Sequence, residues 1–556
     1  MRKAGFIFAL LSVIACGRKE LSRPVAKGEA VYGGEIRLMT KENIFALSPG
    51  GIDKIYESRV MHQLFDPMLI YDTETGTIKP SVISSYKISE DLKVYTLIVR
   101  DNVFFHDDKC FKGGLGRKVE ADDIRFSIEQ MCSGKIQSRY AQQLASLIAG
   151  GLEFRDKTKK IQAAHHIRGI ELIDEKTLKI VLEKEFVNFE KLLTHSGLLV
   201  LAKEAYDYYG KEVDKHPVGT GPFYLSSWQG NQLVLKAFSK YWKTDEHGNR
   251  LPFVDQVNWS YNIDSEDQLK AFREGRTDMI LEIQADEIEN TVGTLKEAKE
   301  GKNVKHKIFS TNSLGIHFLT FNHITGPFAD ERVRKAILLG IDRKKIIKEC
   351  LKGEGNILTH GFVPTLKDYD GEVSGYIEYN IEKARDLLRQ AGFPGGNNFP
   401  EIELVYEQPG NKTILSFLNS IRKELSLQLN IRAKIVSRPA GFREVLARPG
   451  LVYNSWVADY SDPFDFLQLF NEKETALYYD DTEYRLLLEK AAKEQDLQQR
   501  NQIFSECDQL LIDKAYVVPM YSDDLISIVN ARIRNYEING FELADFSRIY
   551  IREYRK

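Results

Sequence analysis

Several features that mark common classes of protein are absent from this sequence. It has no Walker-type glycine-rich loop, no HExxH zinc motif, no CxxC pair and no GxSxG nucleophile elbow. After residue 15, no apolar run is long enough to span a bilayer. An excess of one charge is also missing, because the net charge is −3 and both signs are spread along the chain. The balance disfavours a nucleic-acid binder, which would carry a basic face.

The length and composition indicate a soluble protein with more than one lobe. A chain of 556 residues is too long for a single hydrophobic core, so two or three lobes are expected. Apolar residues make up 43% and charged residues 28%, which are the proportions of a globular protein.

The N-terminus has the pattern of an export signal. Arg2 and Lys3 precede the apolar run GFIFALLSVIA, which is too short to cross a bilayer and predicts a signal peptide over residues 1–15. Ala15 followed by Cys16 resembles the bacterial lipobox, in which Cys16 is lipidated, and residues 16–30 are then a tether. An ordinary signal peptide with an incidental cysteine is the alternative. We expect an extracytoplasmic protein anchored to a bacterial membrane, periplasmic if the cell has an outer membrane.

Four further cysteines follow Cys16: Cys110, Cys132, Cys350 and Cys507. An oxidising compartment permits disulfides, and Cys110 with Cys132 is the pair closest in sequence. Buried free thiols explain the four residues equally well, and sequence alone cannot show connectivity.

Strand and helix patterns alternate through the chain. Residues 94–99 alternate in the manner of a strand, and a helix with acids in its first turn is predicted from Ala121. A second helix is predicted over residues 330–350, with Asp330 as its N-cap. A third begins at Asn380 and ends before Gly392, a C-cap glycine. The mixture predicts an α/β or α+β protein.

Five stretches together resemble one known family. They are DTETGTIKPSVISSYKISEDLKVYTLIVRDNVFFHDD with EADDI (72–123), PVGTGPFYLSSWQGNQLVLKAFSKYW (217–242), FNHITGPFADERVRKAILLGIDR (321–343), YNIEKARDLLRQAGFP (379–394) and WVADYSDPFDFL (456–467). In this order they are similar to the oligopeptide- and dipeptide-binding class of ABC-importer solute-binding proteins, family 5. The resemblance covers the chain from about residue 31 to its end.

The resemblance implies an α/β, two-lobed periplasmic-binding-protein-like fold of type II, with an extra inserted domain and a hinge between the lobes. Mapped onto this chain, lobe I takes residues 31–58, 195–305 and 515–556, the inserted domain takes 59–194, and lobe II takes 306–514. A ligand then lies in the cleft and is buried when the lobes close. The family also implies docking of the closed form on membrane permease subunits. A monomer is expected.

The resemblance places the ligand site around Asp459. In peptide-binding relatives, an aspartate that follows a tryptophan after two intervening positions takes the α-ammonium group of the peptide, which points to Asp459 after Trp456. The backbone from Ser455 to Val457 would pair with the peptide as an added strand. Ser455 stands where a glycine is common in the family. Ala458 and Tyr460 complete the segment.

Other site residues are implied on the opposite side of the cleft. The partner backbone would lie in the loop containing Gly51 and Ile52, and Tyr140 resembles a ligand-facing tyrosine of the inserted domain. For Asp462 we expect a structural role, as a turn or cap acid before Pro463. The aromatic residues of the 217–242 stretch and its GTG turn are likewise expected to be structural.

Two other functions are alternatives to peptide binding. An enzyme would use some of the many carboxylates and histidines, such as His165 with His166 or His317 with His323, but no acidic or cysteine partner lies at metal-ligand spacing. We therefore expect no enzyme, no metal and no cofactor. The second alternative keeps the fold and changes the ligand to a nickel chelate, haem, sugar or opine, because fold does not determine ligand.

Overall fold

The computed structural model describes most of the chain. The described residues are 24–48, 55–159, 166–283, 287, 306–321, 326–351, 355–369, 371, 373–374, 377–408, 412–439, 448–471, 477 and 479–552. Several predicted features lie outside them: the signal peptide, Cys16, most of the tether, Gly51, Ile52, His165 and His323.

Strands and helices alternate along the described chain. The strands are β1 (Glu35–Met39), β2 (Leu69–Asp72), β3 (Thr77–Pro80), β4 (Ile83–Ile88), β5 (Val94–Val99), β6 (Ile170–Leu172), β7 (Thr177–Val181), β8 (Phe223–Gln229), β9 (Gln232–Ala237), β10 (Gln256–Ser260), β11 (Met279–Ile280), β12 (His306–Phe321), β13 (Asn356–Ile357), β14 (Ile402–Glu407), β15 (Ala433–Arg438), β16 (Gly450–Val457), β17 (Val517–Asn530), β18 (Ile533–Arg534) and β19 (Tyr550–Ile551).

The α-helices are α1 (Ile55–Leu64), α2 (Ala121–Cys132), α3 (Arg139–Leu147), α4 (Gly151–Thr158), α5 (Phe189–Leu192), α6 (Lys203–Tyr209), α7 (Ser265–Arg273), α8 (Glu331–Gly340), α9 (Arg343–Cys350), α10 (Ile381–Gln390), α11 (Lys412–Leu429), α12 (Pro463–Leu467), α13 (Thr482–Ala491) and α14 (Leu497–Asp513). Short 3₁₀ helices lie at Lys27–Glu29, Lys112–Gly114, Gly210–Lys215, Gly326–Ala329, Pro394–Gly396, Gln468–Phe470 and Phe546–Arg548.

One large mixed sheet runs through both lobes. Its strands follow the order β15, β14, β16, β12, β17, β11, β1, β10, β9 and β8, and β13 is attached to β17. Strand β14 is parallel to β15 and β16, and β1 is parallel to β10 and β11. Parallel neighbours need crossover connections, which helices supply here. The predicted α/β class is confirmed.

The buried apolar side chains form three large cores. One lies between residues 314 and 521, one combines residues 36–65, 199–281 and 525–551, and one lies within 68–218 with Tyr460 and Ala492 added. We propose that these cores are those of lobe II, lobe I and the inserted domain, and the core within 68–218 includes a separate sheet of β4, β5, β7 and β6. Because Val60, Met61 and Phe65 pack in the lobe I core, we propose that the insertion begins after residue 65 instead of at 59.

Two long strands connect the lobes. Residues 306–312 of β12 pair with 524–530 of β17, beside the lobe I strands, whereas residues 316–320 pair with 517–522 and with β16 of lobe II. The β12–β17 register shifts twice, between Asn312 and Ile316 and between His317 and Phe318. Such irregularities bend a strand pair locally, so this ribbon is the natural place for the hinge.

Three local predictions agree with the structure. Strand β5 has the predicted bounds, and its alternate residues are buried. Helix α2 begins at Ala121, and the side chains of Glu120 and Asp123 form a capping box. Asn380 caps α10 by accepting a hydrogen bond from the Lys383 amide, 3.0 Å away.

The single helix predicted over residues 330–350 is wrong. Asp330 does cap a helix, but α8 ends at Gly340, and Ile341 has an extended backbone. Asp342 then caps a separate helix, α9, by accepting a hydrogen bond from the Lys345 amide at 3.0 Å. An aspartate whose side chain satisfies a free amide competes with helix continuation at that point.

The GTG turn is a packing motif. The Gly221 amide donates to the Leu64 carbonyl, 2.9 Å away, at the end of α1. A Cβ at Gly219 would lie 2.1 Å from the same carbonyl oxygen, and one at Gly221 would lie 2.5 Å from the Leu64 carbonyl carbon. Only glycine permits this approach, which locks β8 against α1. The turn is therefore structural, as predicted.

The four cysteines within the described chain form no disulfide. Cys132 and Cys507 are buried, and Cys110 and Cys350 are half-buried. Of the two explanations left open by the sequence, the structure therefore has the free thiols.

Candidate functional site

The site begins at an open edge of β16. This strand pairs with β12 along residues 451–457, but with β14 only through Gly450, Leu451 and Val452. Beyond Val452, no described strand pairs with its other edge. Ser455 is exposed, and Val457 is 46% exposed. An exposed edge of this kind presents backbone donors and acceptors that an extended ligand can pair with.

Asp459 follows this edge and contacts Arg139 of the inserted domain and His195, the first residue after that domain. The Arg139 guanidinium donates through Nη2 to its Oδ2, 2.7 Å away. His195 Nε2 lies 3.3 Å from its Oδ1. The Gly197 amide donates to His195 Nδ1 at 2.9 Å, so that nitrogen is an acceptor and the Nε2–H is the donor. Asp459 therefore lies at the contact of lobe II with the inserted domain.

A second carboxylate supports the first. Asp465, on α12, accepts a hydrogen bond from the Asp459 amide at 2.7 Å and another from Arg139 Nη2 at 2.6 Å. Gln468 Nε2 donates to the same carboxylate at 3.2 Å. The Asp465 side chain is completely buried, whereas that of Asp459 is 16% exposed. Only Asp459 of this pair is open to a ligand.

Aromatic rings enclose the pair. The Arg139 guanidinium carbon lies 4.3 Å from the centre of the Trp456 ring, a cation–π contact. The Tyr140 ring stacks on His195 with centroids 3.7 Å apart, and its hydroxyl donates to the Leu192 carbonyl at 2.6 Å. Tyr140 is almost fully buried behind His195, so its predicted contact with ligand stays a prediction.

The segment after β16 is embedded in the inserted domain. Tyr460 is buried in the core of that domain, and its hydroxyl accepts a hydrogen bond from Gln143 at 2.9 Å. The Phe464 ring meets Phe186 edge-on at 5.4 Å. Ala458 is also buried. Ala458 and Tyr460, two residues of the predicted site, therefore support it from behind.

The charges around Asp459 are unequal. Burial by itself would raise the pKa of Asp459, but Arg139 and the hydrogen bond from His195 outweigh it, so that pKa lies below its usual value. Burial raises the pKa of Asp465 to about 6, and the nearby Asp459 adds to this, while Arg139 opposes it. Among the described residues, two carboxylates thus share one guanidinium, with His195 as a further hydrogen-bond donor, so the negative charges exceed the positive charges by one when both acids are ionised.

Asp462 has the structural role expected for it. It caps α12 through the Phe464 amide at 3.0 Å and forms a bidentate ion pair with Arg500, at 2.8 and 3.0 Å. Lys191 of the inserted domain adds a third contact, 3.2 Å from Oδ2. Arg500 and Lys191 hold the pKa of this carboxyl far below its usual value even though burial opposes them.

The sequence did not point to Arg139, His195 or Asp465. Arg139 is separated from Asp459 by 320 positions, and His195 by 264. No spacing rule links such residues. Asp465 lies in the stretch WVADYSDPFDFL, where a third acid was a signal that could have been noticed.

A cavity of about 170 Å³ lies beside this cluster, between lobe I and the inserted domain. Thr194 and Ser196, on either side of His195, form part of its wall. Other walls come from Tyr71, Asp66 and Phe541.

Within the described residues, no group of three or more histidine, cysteine or acidic side chains is arranged to hold a metal ion. None of the described helices has the length and hydropathy needed to cross a membrane.

The fold, with two lobes and a joining ribbon, is that of a solute-binding protein. The model of the bacterial extracellular solute-binding proteins, family 5 (Middle), matches residues 77–477. The chain belongs to this family, and the resemblance seen in the sequence is confirmed.

Curated relatives span nearly the whole chain. It is 26% identical to the periplasmic oligopeptide-binding protein OppA of Escherichia coli (strain K12), over 96% of this chain and 94% of OppA. It is 22% identical to the glutathione-binding protein GsiB of Salmonella paratyphi A, over 94% of this chain and 96% of GsiB.

A solved structure supports the same fold. DppA from Helicobacter pylori, an ABC transporter-associated periplasmic binding protein in complex with the peptide STSA, superposes with a TM-score of 0.75 at 22% identity. The match covers 94% of this chain and 99% of DppA. At this identity the likeness establishes the fold, and the two-lobed architecture is confirmed.

Proposed function

We propose that this protein captures peptides in the cleft beside β16 and delivers them to the membrane permease of an ABC importer. One observation carries the proposal: an open strand edge leads directly to Asp459, a carboxylate kept ionised although it is largely buried. Every peptide has an extended backbone and an α-ammonium group, whatever its side chains. The edge and the carboxylate match these two constant parts.

The geometry leaves room for an ammonium group at Asp459. A carboxylate offers about four lone-pair sites, and each oxygen of Asp459 accepts one side-chain hydrogen bond within the described chain. The uncompensated negative charge shared with Asp465 favours a single cation. Charge-assisted hydrogen bonds strengthen where water is excluded, so lobe closure would tighten the contact.

Closure follows from where the partners of the ligand lie. The β16 edge and Asp459 belong to lobe II, whereas Arg139 belongs to the inserted domain and His195 begins the next segment of lobe I. We expect the Gly51–Ile52 loop of lobe I to supply the second backbone partner. A ligand that contacts both sides only in the closed form shifts the population toward that form. The β12–β17 ribbon would bend to allow the lobes to close.

In this proposal the protein releases the peptide chemically unchanged, because the site binds and orients the peptide without breaking a bond. The protein acts as a monomer without cofactor, metal or nucleic acid. Relatives bind different solutes, and a nickel chelate, haem, sugar or opine is the second candidate ligand. None of these necessarily brings the single ammonium group that the charge at Asp459 favours.

The decisive experiment compares free and N-acetylated peptides. Pools of random-sequence peptides two to five residues long are offered to the purified protein, captured species are identified by native mass spectrometry, and their affinities are measured by calorimetry. We expect the affinity for free peptides to be about a hundredfold higher, or more, than that for their acetylated forms. An acetylated peptide leaves the buried charge of Asp459 without its partner, which costs about 3–5 kcal/mol. Equal binding of both forms, or no capture at all, would refute the peptide proposal.

The Asp459→Asn variant tests the residue itself. It should lose most of the preference for a free N-terminus, since the amide keeps the shape of the side chain but not its charge. Asp156→Asn is the matched control, because Asp156 is an exposed acid of the inserted domain paired with Lys159. The control should bind as the wild type does.

The anchor is a separate part of the proposal. Cys16 would carry the lipid, and residues 16–30 would tether the binding lobes to the membrane. Mass spectrometry of the mature protein should show acylated Cys16, and Cys16→Ser should release the protein into the soluble fraction with its ligand affinity unchanged. A mature wild-type protein without lipid would contradict the lipobox interpretation.

A further inference from the structure

Arg139 joins the two carboxylates of the site. Its Nη2 lies 2.7 Å from Asp459 Oδ2 and 2.6 Å from Asp465 Oδ1, and its guanidinium lies over Trp456. The side chain is 13% exposed. One cation, placed at the first residue of α3, therefore contacts both acids and the aromatic residue next to them.

Two carboxylates this close and this buried cannot both ionise without a cation. Within the part of the chain that the structure describes, the other groups that face the pair do not supply a second cation. His195 is a neutral donor to Asp459, Gln468 is an uncharged donor to Asp465, and the Tyr460 hydroxyl lies 3.4 Å from the same Gln468 amide. The nearby cations Lys191 and Arg500 bind Asp462.

We propose that Arg139 is a positioning residue that sets the charge of the ammonium site at minus one, so that it accepts one cation and rejects neutral or anionic groups. The inference rests on the proposed function and deepens it by naming the residues behind ligand discrimination. Arg139 compensates one of the two negative charges of Asp459 and Asp465, and the second negative charge remains on the pair. The ligand ammonium then completes the neutralisation.

The proposal predicts how the site responds to pH. Because burial raises the pKa of Asp465 to about 6, this acid is ionised above that pH and protonated below it. A bound ammonium stabilises the ionised form, so ligand binding should release a proton near pH 6, and affinity should fall below that pH. In Asp465→Asn this step should disappear. If it persists, another group is responsible, and the proposed role of Asp465 is wrong.

Four proteins separate charge from packing. The site charge is minus one in the wild type, nominally minus two in Arg139→Gln, zero in Asp465→Asn and minus one again in the double variant. The two amide side chains that the double variant introduces can hydrogen-bond to each other, and Asp459 keeps its hydrogen bond from His195. Arg168→Gln is the matched control, because Arg168 is a 76% exposed arginine of the inserted domain.

Calorimetry with a free peptide captured from the random pools, and with its acetylated form, gives the readout. At pH 7 each single variant should bind the free peptide about tenfold or more weakly, the scale of one pKa unit. In Arg139→Gln the two carboxylates should share a retained proton that the ligand ammonium has to displace, so binding should recover as the pH rises and that proton is lost. The double variant should return to within about threefold of the wild type. Arg168→Gln should match the wild type.

The outcomes distinguish this inference from the proposed function. If the wild type does not discriminate between free and acetylated peptides, the proposed function fails before Arg139 is considered. If the wild type discriminates but the losses of the two single variants add up in the double variant, Arg139 acts through packing alone, and the charge role is overturned. Arg139→Gln binding like the wild type at pH 7 would overturn it too. Near-ultraviolet circular dichroism establishes that each variant is folded.

Discussion

Asp459 and Asp462 are three residues apart in one turn, yet their surroundings are opposite. Asp462 is sealed from solvent and has two cations, Arg500 and Lys191. Asp459 is partly open and shares one cation, Arg139, with a second acid. The first carboxylate is more than compensated, and the second pair is undercompensated.

The difference shows how the segment from Asp459 to Asp462 can be held rigidly at one end and remain open to a ligand at the other. The Asp462 ion pairs and the buried Tyr460 hold the segment against the inserted domain. Asp459, between this anchor and the open edge of β16, keeps spare acceptor capacity. A charge left incompletely neutralised in a largely buried place is one that a ligand of opposite sign can complete.

The largest effect should come from breaking the compensated pair. Asp462→Ala leaves Arg500 buried without its carboxylate, so we expect a loss of about 3–5 kcal/mol in the free energy of unfolding. Urea denaturation measures it. Asp459→Asn, in which Arg139 keeps Asp465 as a partner, should lose clearly less stability. If the two variants are equally destabilised, the contrast between compensated and undercompensated carboxylates is wrong.

A smaller effect is expected from a third carboxylate, Asp508, which has no cation among its described partners. It accepts hydrogen bonds from the Phe362 and Val363 amides at 2.7 and 3.1 Å. Burial raises its pKa to about 7, although these bonds lower it. Because the folded protein holds this proton more tightly than the unfolded chain, its stabilising effect is complete below about pH 4 and is lost as the pH rises toward 7.

The test is the pH dependence of the free energy of unfolding. Between about pH 4 and 7, the wild type should lose on the order of a few kcal/mol through Asp508, and Asp508→Asn should lack that part of the slope. Asp465 contributes a similar slope in both proteins, so the difference between them reports Asp508. Identical slopes would show that Asp508 stays ionised and has a compensating partner.

Much of the fold could be predicted because local patterns depend on neighbouring residues. The alternation in β5, the acids at the start of α2 and the Asn380 cap each act within one or two turns of the chain. The break between α8 and α9 was missed because Ile341 continues the apolar face, and only the hydrogen bond from the Lys345 amide shows that Asp342 starts a new helix.

The site could be predicted only on the side where its residues are contiguous. Ser455 to Tyr460 form one motif, with Ser455 to Val457 at the open edge of β16 and Ala458 to Tyr460 directly after it. The roles of these residues toward a ligand stay predictions, as do those of Gly51, Ile52 and Tyr140. Arg139 and His195 come from elsewhere in the chain, and nothing in their local sequence distinguishes them from its other arginines and histidines.

By itself, the sequence determined the family, the α/β class, the lobed organisation and the motif that contains Asp459, because these depend on residue types in short order along the chain. The tertiary structure decided which charges meet. Arg139 contacts Asp459 and Asp465, while Arg500 and Lys191 contact Asp462. Because the three cations are distributed unequally over the three acids, Asp462 has a structural role and Asp459 is a candidate ligand site. The Coulomb energy depends on distance and burial, which only the folded chain defines.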